Sequence, residues 1–297
     1  MISTRAVRQP LTAESTGVRH RHDVWRTIIR HRLAVCSLLV VILLIAVAVF
    51  APLISPHDPA EQDLSQRLRS PSFMYPVGTD QYGRDLLSRL IYGSTISLSV
   101  AVVAVAILIG LGTLFGGLAG YYGGPLDMLI MRFVDVMLSL PNFFLLVAIV
   151  ALFGPSLVTT MLVIGLTSWM WTARLVRGQF LQVRGLEYVQ AARAGGASDI
   201  RIICRHLLPN TLPIIIVQAS LFTSYAILIE ASLSFLGLGA QPPTPSWGNM
   251  LNEGKAFMRT AWWVMTFPGL AIFITVLAFN LLGDGLREAL DPRLRGR

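Results

Sequence analysis

Residues that could carry out chemistry are few in this 297-residue chain, and they form no recognised catalytic set. Neither the zinc-protease motif H-E-x-x-H nor the serine-hydrolase motif G-x-S-x-G occurs in the sequence. A phosphate-binding P-loop requires G-x-x-x-x-G-K followed by Ser or Thr. The single lysine, Lys255, is followed by Ala256, and Asn249 stands where the first glycine of that motif should be. We therefore predict that the chain is not an enzyme and carries no ATP-binding P-loop of its own.

Metal-binding residues are equally scarce. Two cysteines cannot supply a disulfide framework or a four-ligand zinc site. His20 and His22 lie close together in a polar leader, where histidines are usually solvated. We predict no metal site and no cofactor in this chain.

Composition places the chain in a membrane. Hydrophobic residues make up 54% and charged residues only 13%, which is about half the usual charged fraction. The net charge of +8 could indicate nucleic-acid binding, but such proteins place basic residues among aromatic ones on a polar surface. Here the arginines lie in the gaps between apolar runs. The sequence therefore predicts membrane lipid as a partner and excludes nucleic acid.

Six apolar stretches approach the ~20 residues that a helix needs to cross a bilayer. They cover residues 33–54, 91–119, 136–153, 157–172, 212–236 and 262–282. Gly154-Pro155-Ser156 separates the third from the fourth as a tight turn. In the second stretch, Gly112, Gly116 and Gly120 fall on one helical face, a pattern that lets transmembrane helices approach closely. The predicted fold class is an all-α membrane protein with six transmembrane helices.

The distribution of arginine predicts the orientation, because cytoplasmic segments retain Lys and Arg. Most of the 24 basic residues lie in the leader 1–32, in the segment 174–205 and in the C-terminal tail. Both termini are therefore predicted to be cytoplasmic, with extracytoplasmic loops at 55–90 and 237–261. A competing interpretation makes 33–45 the core of a signal peptide that is cleaved after Ala48, but the apolar run continues through Phe50.

Ionisable groups at membrane depth are candidates for function because they are costly to place there. Arg132 and Asp135 lie three residues apart on one helical face, and we expect them to pair with each other, as do Asp284 and Arg287. Glu230 is expected near the outer mouth of the fifth span, where it either faces a translocation pathway or bonds to Ser232, Ser234 or backbone. The uncharged candidates for a pathway lining are Gln218, Ser224 and Tyr225, which could equally bond helix to helix.

The cytoplasmic loop 173–210 is too polar to cross the membrane, yet it is patterned like two helices. Residues 186–194 favour a helix, and Gly195-Gly196 is a stop signal. Ser198 or Asp199 can cap a second short helix, and Pro209 marks where that helix gives way to the next span. The alanine and glycine face would let the backbone sit deep in a partner's groove. The alternative is a surface hairpin that merely connects two spans.

This loop resembles the "EAA" loop of the membrane subunits of bacterial ABC importers. The resemblance rests on Gln190-Ala191-Ala192, then Gly196, and later Leu208-Pro209, with Gln in place of the usual first Glu. In that family the loop forms the coupling helix that docks on an ATPase subunit. The resemblance therefore implies that Glu187, Gln190, Ala191, Ala192, Gly196, Leu208 and Pro209 contact the ATPase.

Further segments are similar to the dipeptide/oligopeptide/nickel permease family, including its dipeptide permease C-type subunits. They are residues 78–93, 120–124, 230–239, 242–248 and 283–292. The implied fold is a type I ABC importer transmembrane domain. Its implied organisation is a basic cytoplasmic tail at 1–32, a first helix at 33–54, an extracytoplasmic loop at 55–90, a permease core at 91–285 and a cytoplasmic tail at 286–297.

What the resemblance implies for function is a permease subunit that moves peptides across the bacterial cytoplasmic membrane. The implied partners are a second homologous permease subunit, two ATPase subunits or domains that hold ATP and magnesium, and an extracytoplasmic substrate-binding protein. A nickel or glutathione importer is the alternative within the family. Two alternatives lie outside the family. The absence of a visible internal repeat disfavours a proton-driven secondary transporter, and the absence of a catalytic set disfavours a membrane-embedded enzyme.

Overall fold

The computed structural model describes residues 32–290, which form helices joined by loops. Residues 1–31 of the predicted leader, which include His20 and His22, lie outside the described residues. The tail beyond residue 290 also lies outside them. The helices are α1 Arg32–Val49, α2 Ala51–Ile54, α3 Leu86–Tyr122, α4 Gly124–Ser139, α5 Asn142–Phe153, α6 Leu157–Arg184, α7 Glu187–Ala194, α8 Asp199–Ile202, α9 Leu208–Phe235, α10 Trp247–Gly254 and α11 Trp263–Leu290.

Within residues 32–290, four helices are long and apolar enough to cross a membrane: α1, α3, the continuous helix Asp199–Phe235 and α11. The bent pair α4 and α5 makes a fifth if the two count as one span. The remaining predicted span, 157–172, lies in α6, which has the length for a crossing but does not meet the same apolar criterion. Length and hydropathy therefore support four or five of the six predicted spans.

The third predicted span is not one straight helix. α4 ends at Ser139, α5 begins at Asn142, and their axes differ by 87°. Pro141 stands at the break, where its ring prevents the backbone from continuing as a helix. The turn predicted at residues 154–156 is present, and Ser156 caps α6 by accepting a hydrogen bond from the Thr159 backbone N–H.

The core is the contact between α3 and α6, and the predicted glycine stripe forms it. A Cβ placed on Gly112 would lie 2.5 Å from Cβ of Thr172, and one on Gly116 would lie 2.3 Å from the carbonyl oxygen of Ala173. Real Cβ atoms do not approach that closely, so only glycine permits this helix separation. The prediction that these glycines serve helix packing is confirmed.

Both predicted extracytoplasmic loops lie at the same end of the bundle and contact each other. The first is shorter than predicted, because α3 already begins at Leu86, where the Asp85 carboxylate caps its first turn. Trp263 donates from Nε1 to the Thr79 carbonyl at 3.1 Å, and Trp247 does the same to the Leu90 carbonyl at 3.1 Å. Two indole rings from the C-terminal third thus hold the first loop and the start of α3 in place.

The opposite end of the bundle carries residues 185–207, here called the inner segment. It was predicted as a loop covering 173–210, but α6 continues to Arg184, so residues 173–184 are helical. The predicted boundary near Pro209 is also wrong. Residues 203–207 form a π-helical turn that joins α8 to α9 without a break, giving one helix over Asp199–Phe235. Pro209 directly follows the π-helical turn, a local adjustment of the kind that accommodates a proline within a continuous helix.

Candidate functional site

The inner segment is a short helix held to the bundle by few contacts. Of the residues of α7, only Val189 is buried, at 1% exposure, and it packs into an apolar cluster with Phe180, Ile202 and Leu207. The remaining side chains of α7 are exposed or half-buried. The segment therefore presents a free face away from the membrane helices.

Most of the residues predicted to contact a partner lie on this free face. Glu187, Gln190, Ala191, Gly196 and Pro209 are exposed. Ala192 and Leu208 are half-buried, and Leu208 packs at the edge of the same apolar cluster. The Gln190 side chain donates from Nε2 to the Gly185 carbonyl at 3.1 Å, which closes the first turn of α7.

The hydrogen bonds at the end of α7 explain why one of the two adjacent glycines, Gly196, is needed there. The Ala197 N–H donates to the Ala192 carbonyl at 3.1 Å and the Gly196 N–H donates to the Arg193 carbonyl at 3.0 Å. These two bonds are a Schellman motif, which needs a left-handed residue just after the helix. Gly196 supplies it with φ +81°, whereas Gly195 has an ordinary φ of −76°. No atom lies within 4 Å of a Cβ placed on Gly196.

A tyrosine from the bundle contacts the inner segment and the residue before it, and the sequence analysis did not identify it. Tyr121, in the last turn of α3, is only 3% exposed and donates its hydroxyl to Oδ1 of Asp199 at 2.5 Å. Arg193 lies over its ring, 5.3 Å from the centroid. Arg184 donates to the Tyr121 carbonyl at 2.6 Å. The G-Y-Y-G-G motif at 120–124 was the available signal.

Glu230 is buried inside this chain. Its side chain accepts hydrogen bonds from Ser234 at 2.7 Å and from Ser97 of α3 at 3.1 Å, and the residue is 0% exposed. The interpretation as a carboxylate bonded to neighbouring serines fits this geometry, with Ser97 as a partner that was not foreseen. Ser232 instead bonds to the Leu228 carbonyl. Glu230 is therefore not exposed on the surface of this chain, and its role in a pathway stays a prediction.

The uncharged candidates for a pathway lining divide into two groups. Ser224 donates to the Val276 carbonyl of α11 at 3.2 Å, so it bonds helix to helix. Tyr225 is half-buried, and its hydroxyl accepts a hydrogen bond from Asn142, at the start of α5, at 2.8 Å. Gln218 is half-buried and lies two turns before Tyr225 on the same helical face. Gln218 and Tyr225 are thus the two that a pathway could reach.

The expected pairing between Arg132 and Asp135 is wrong. Asp135 pairs instead with Arg174 of α6, with 2.5 Å between Oδ1 and Nη2, while Asp127 pairs with Arg177. All five residues line an open cavity of about 610 Å³ between α4 and α6. No ion pair joins Asp284 and Arg287, whose side chains are both exposed at the end of α11. The partner of Asp135 is thus set by a charged residue on the neighbouring helix, and the spacing of charges along its own helix did not predict it.

A buried charge cluster joins the two extracytoplasmic loops. Asp80, Arg84 and Arg89 are each at most 3% exposed, and both arginines contact Asp80 and Glu253 at 2.6 to 3.0 Å. Two positive and two negative charges compensate each other there, as buried charges require. Burial raises the pKa of the Glu253 carboxyl, and Asp80 raises it further, while Arg84 and Gln81 act in the opposite direction. The sequence reasoning counted these arginines as loop charges and missed the cluster.

Comparison with known proteins agrees with this architecture. Residues 112–296 match the family described as the binding-protein-dependent transport system inner membrane component. Residues 21–71 match the N-terminal transmembrane domain of oligopeptide transport permease C. The permease chains of these systems therefore share both the helical core and the first span with this protein.

Individual relatives cover nearly the whole chain. A dipeptide transport system permease protein of Alkalihalophilus pseudofirmus is 43% identical over 286 residues, which is 96% of this chain and 94% of the relative. A di/tripeptide transport system permease protein of Pseudomonas aeruginosa is 44% identical, covering 92% of each chain. A glutathione transport system permease protein of Escherichia coli is 48% identical, covering 93% of this chain and 91% of the relative.

Solved structures share the fold. A chain of the inward-facing MetNI methionine ABC transporter superposes with a TM-score of 0.55 at 21% identity, covering 69% of this chain and 98% of that one. A chain of an amino acid ABC transporter with histidines superposes with a TM-score of 0.53 at 16% identity, covering 68% and 94%. The protein therefore belongs to the binding-protein-dependent transport system inner membrane component family, as a multi-pass permease of the cytoplasmic membrane.

Proposed function

We propose that this chain is a permease subunit of an ATP-driven importer that moves peptides across the cytoplasmic membrane. One observation carries the proposal furthest: the inner segment leaves α7 with a free face while Val189 alone of its residues is buried. A helix exposed in this way lacks the burial that usually stabilises so short an element. A partner that covers its free face supplies the missing contacts.

The partner of the inner segment is an ATPase subunit, and a second homologous permease subunit completes the pathway. Two ATPase subunits or domains bind ATP and magnesium, since this sequence has no P-loop. A substrate-binding protein docks from outside on the joined loops 55–85 and 237–261. Glu187, Gln190, Ala191, Ala192 and Gly196, with Leu208 and Pro209 beside them, form the contact with the ATPase.

Closure of the ATPase pair pushes α7, and the continuous helix Asp199–Phe235 carries that movement across the membrane. In this proposal the inner segment follows the ATPase while the bundle changes between inward-open and outward-open arrangements. Both termini are cytoplasmic, which puts the inner segment on the side where ATP is available. The two extracytoplasmic loops then lie together on the opposite side, in agreement with their contact through Glu253.

Peptides are the proposed substrates, because relatives that cover 96% and 92% of the chain carry the names dipeptide and di/tripeptide transport permease. Gln218 and Tyr225 offer uncharged hydrogen-bonding groups on one face of α9, which suits peptides of varied sequence. Glutathione, named for another relative, is itself a small peptide and is the first alternative. Nickel complexes are the second.

Uptake by intact cells tests this function. A strain lacking the gene is supplied with a labelled dipeptide, with labelled glutathione or with nickel, and regains uptake of its true substrate when the wild-type gene is restored. Depletion of ATP at constant proton gradient should abolish uptake, whereas an uncoupler added at constant ATP should leave it intact. The reverse pattern would identify a proton-driven secondary transporter and refute the proposal.

A further inference from the structure

Tyr121 occupies the place where the inner segment meets the membrane helices. Its ring is buried in the apolar cluster that includes Phe180 and Val189, so it lies directly above α7. Its residue number places it in the penultimate position of α3, the helix that packs along α6 through the glycine stripe. Tyr121 therefore lies at the contact between the inner segment and the bundle.

The contacts of Tyr121 reach from the residue before the inner segment to the middle of that segment. Arg184 ends α6 just before the segment begins, and its guanidinium donates to the Tyr121 carbonyl. Arg193, in the last turn of α7, lies over the ring. Asp199 opens the continuous helix that runs to Phe235, and its carboxylate accepts the Tyr121 hydroxyl. One residue of α3 thus contacts the end of α6, the end of α7 and the start of the next long helix.

The hydroxyl contact is the one that is specific and directional. A hydrogen bond from a hydroxyl to a carboxylate is shorter and stronger than one between neutral groups. Asp199 itself is exposed, so this bond adds a directional contact to the packing of Ile202 in the same turn, and together they fix the start of the helix to α3. The adjacent Tyr122 is 51% exposed and packs edge-on against Tyr121 at 5.0 Å between ring centroids. It offers a neighbouring tyrosine without the bond to Asp199.

We propose that Tyr121 is a positioning residue that links movement of the inner segment to α3 through its hydrogen bond to Asp199, so that ATP hydrolysis is converted into transport. This inference rests on the proposed function, because it assumes that the inner segment is driven by an ATPase subunit. It adds a bundle residue to the coupling machinery, and that residue does not lie on the face that meets the ATPase.

The test uses the complete transporter, with its second permease, ATPase subunits and binding protein, in proteoliposomes. Tyr121→Phe removes the hydroxyl and keeps the ring, and Tyr122→Phe is the matched control. The readouts are peptide taken up, ATP hydrolysed and the amount of ATPase subunit that co-purifies. We expect Tyr121→Phe to lower the ratio of peptide transported to ATP hydrolysed by about tenfold, with normal co-purification, since a bond to a charged group is lost. Tyr122→Phe should keep the wild-type ratio.

Changes at Asp199 distinguish positioning from simple support of the fold. Asp199→Asn retains an oxygen that can accept from the tyrosine hydroxyl, so it should preserve most of the ratio. Asp199→Ala should match Tyr121→Phe, and the double variant should be no worse than either single one. A Tyr121→Phe transporter with the ratio of Tyr122→Phe would overturn the inference alone. A lower uptake that is explained entirely by loss of the ATPase subunit would also overturn it. A wild-type transporter without ATP-dependent peptide uptake would overturn the proposed function, and this inference with it.

Discussion

Replacement of Gly196 separates two reasons why a glycine could be needed in the inner segment. In the first, Gly196 is required because it adopts φ +81° at the end of α7. In the second, it is required because the ATPase approaches the bare backbone, as the resemblance to the coupling loop implies. The two reasons rank the same substitutions differently, so a short series of variants can choose between them.

The backbone reason sets a modest magnitude. A Cβ on Gly196 would meet no atom within 4 Å, so Gly196→Ala costs only the left-handed conformation, about 1–2 kcal/mol. That is about a five- to thirtyfold shift in the population of the turn. Asn tolerates this conformation better than Ala, so a turn-only requirement makes Gly196→Asn the milder change. Gly195 has an ordinary φ, and a Cβ there would lie 3.4 and 3.5 Å from the Ala191 and Ala192 carbonyl oxygens, which is ordinary contact, so Gly195→Ala should behave as wild type by this reasoning.

Docking on a bare backbone gives the opposite order. Since Gly196 faces outward, the added side chain grows into the partner, and uptake should fall from Ala to Asn to Trp while membrane insertion remains intact. We expect this order, with Gly196→Trp abolishing uptake. The assay is labelled-peptide uptake together with co-purification of the ATPase subunit. Normal uptake by Gly196→Trp, or better uptake by Gly196→Asn than by Gly196→Ala, would refute the docking model.

Three further predictions concern the bundle and its outer end, each measured as thermal or denaturant unfolding in detergent. Gly116→Ala should destabilise the protein by about 1–3 kcal/mol, because the new Cβ would be forced against the Ala173 carbonyl. Gly110 lies in open space, so Gly110→Ala should be neutral or stabilising. Equal effects of the two substitutions would refute the packing role of Gly116. Arg89→Ala should cost about 3 kcal/mol because it leaves buried carboxylates short of one partner, and exposed Arg259→Ala should cost less than about 0.5 kcal/mol. The pKa of the Glu253 carboxyl is raised in the folded protein, so stability should fall as pH rises from 4.5 through the raised pKa. Glu253→Gln should remove this pH dependence, and an unchanged pH profile in that variant would contradict the prediction.

Length and hydropathy support four or five of the six predicted spans, and the predicted ends of the spans were less accurate. The reason is that hydropathy reports contact with lipid, whereas a helix continues wherever its backbone bonds can form. α6 therefore extends 12 residues beyond the predicted end at Thr172, and α11 extends to Leu290 instead of ending at residue 282. The break at Pro141 was foreseeable from the missing N–H, but its 87° angle depends on packing that one segment does not specify.

Local patterns predicted local structure, and contacts between distant segments escaped them. The helix, the glycine turn and the second helix of the inner segment could be predicted from residues 186–199, because capping and stop signals act within a few positions. The pairing of Asp135 with Arg174, 39 residues away, could not, since an equally suitable arginine lies three positions away on its own helix. Tyr121 and Asp199 are separated by 78 residues, and no local sequence pattern connects them.

The helix Asp199–Phe235 is continuous across its π-helical turn, so it joins the inner segment to the opposite end of the bundle. Its 37 residues span about 55 Å, and a tilt of one degree about its centre moves each end by about 0.5 Å in opposite directions. Its inner end carries Asp199 against Tyr121, and its outer end carries Ser234 beneath Ser246, just before α10. One continuous helix therefore contacts residues at both ends of the bundle, so a tilt of the whole helix displaces its two ends in opposite directions.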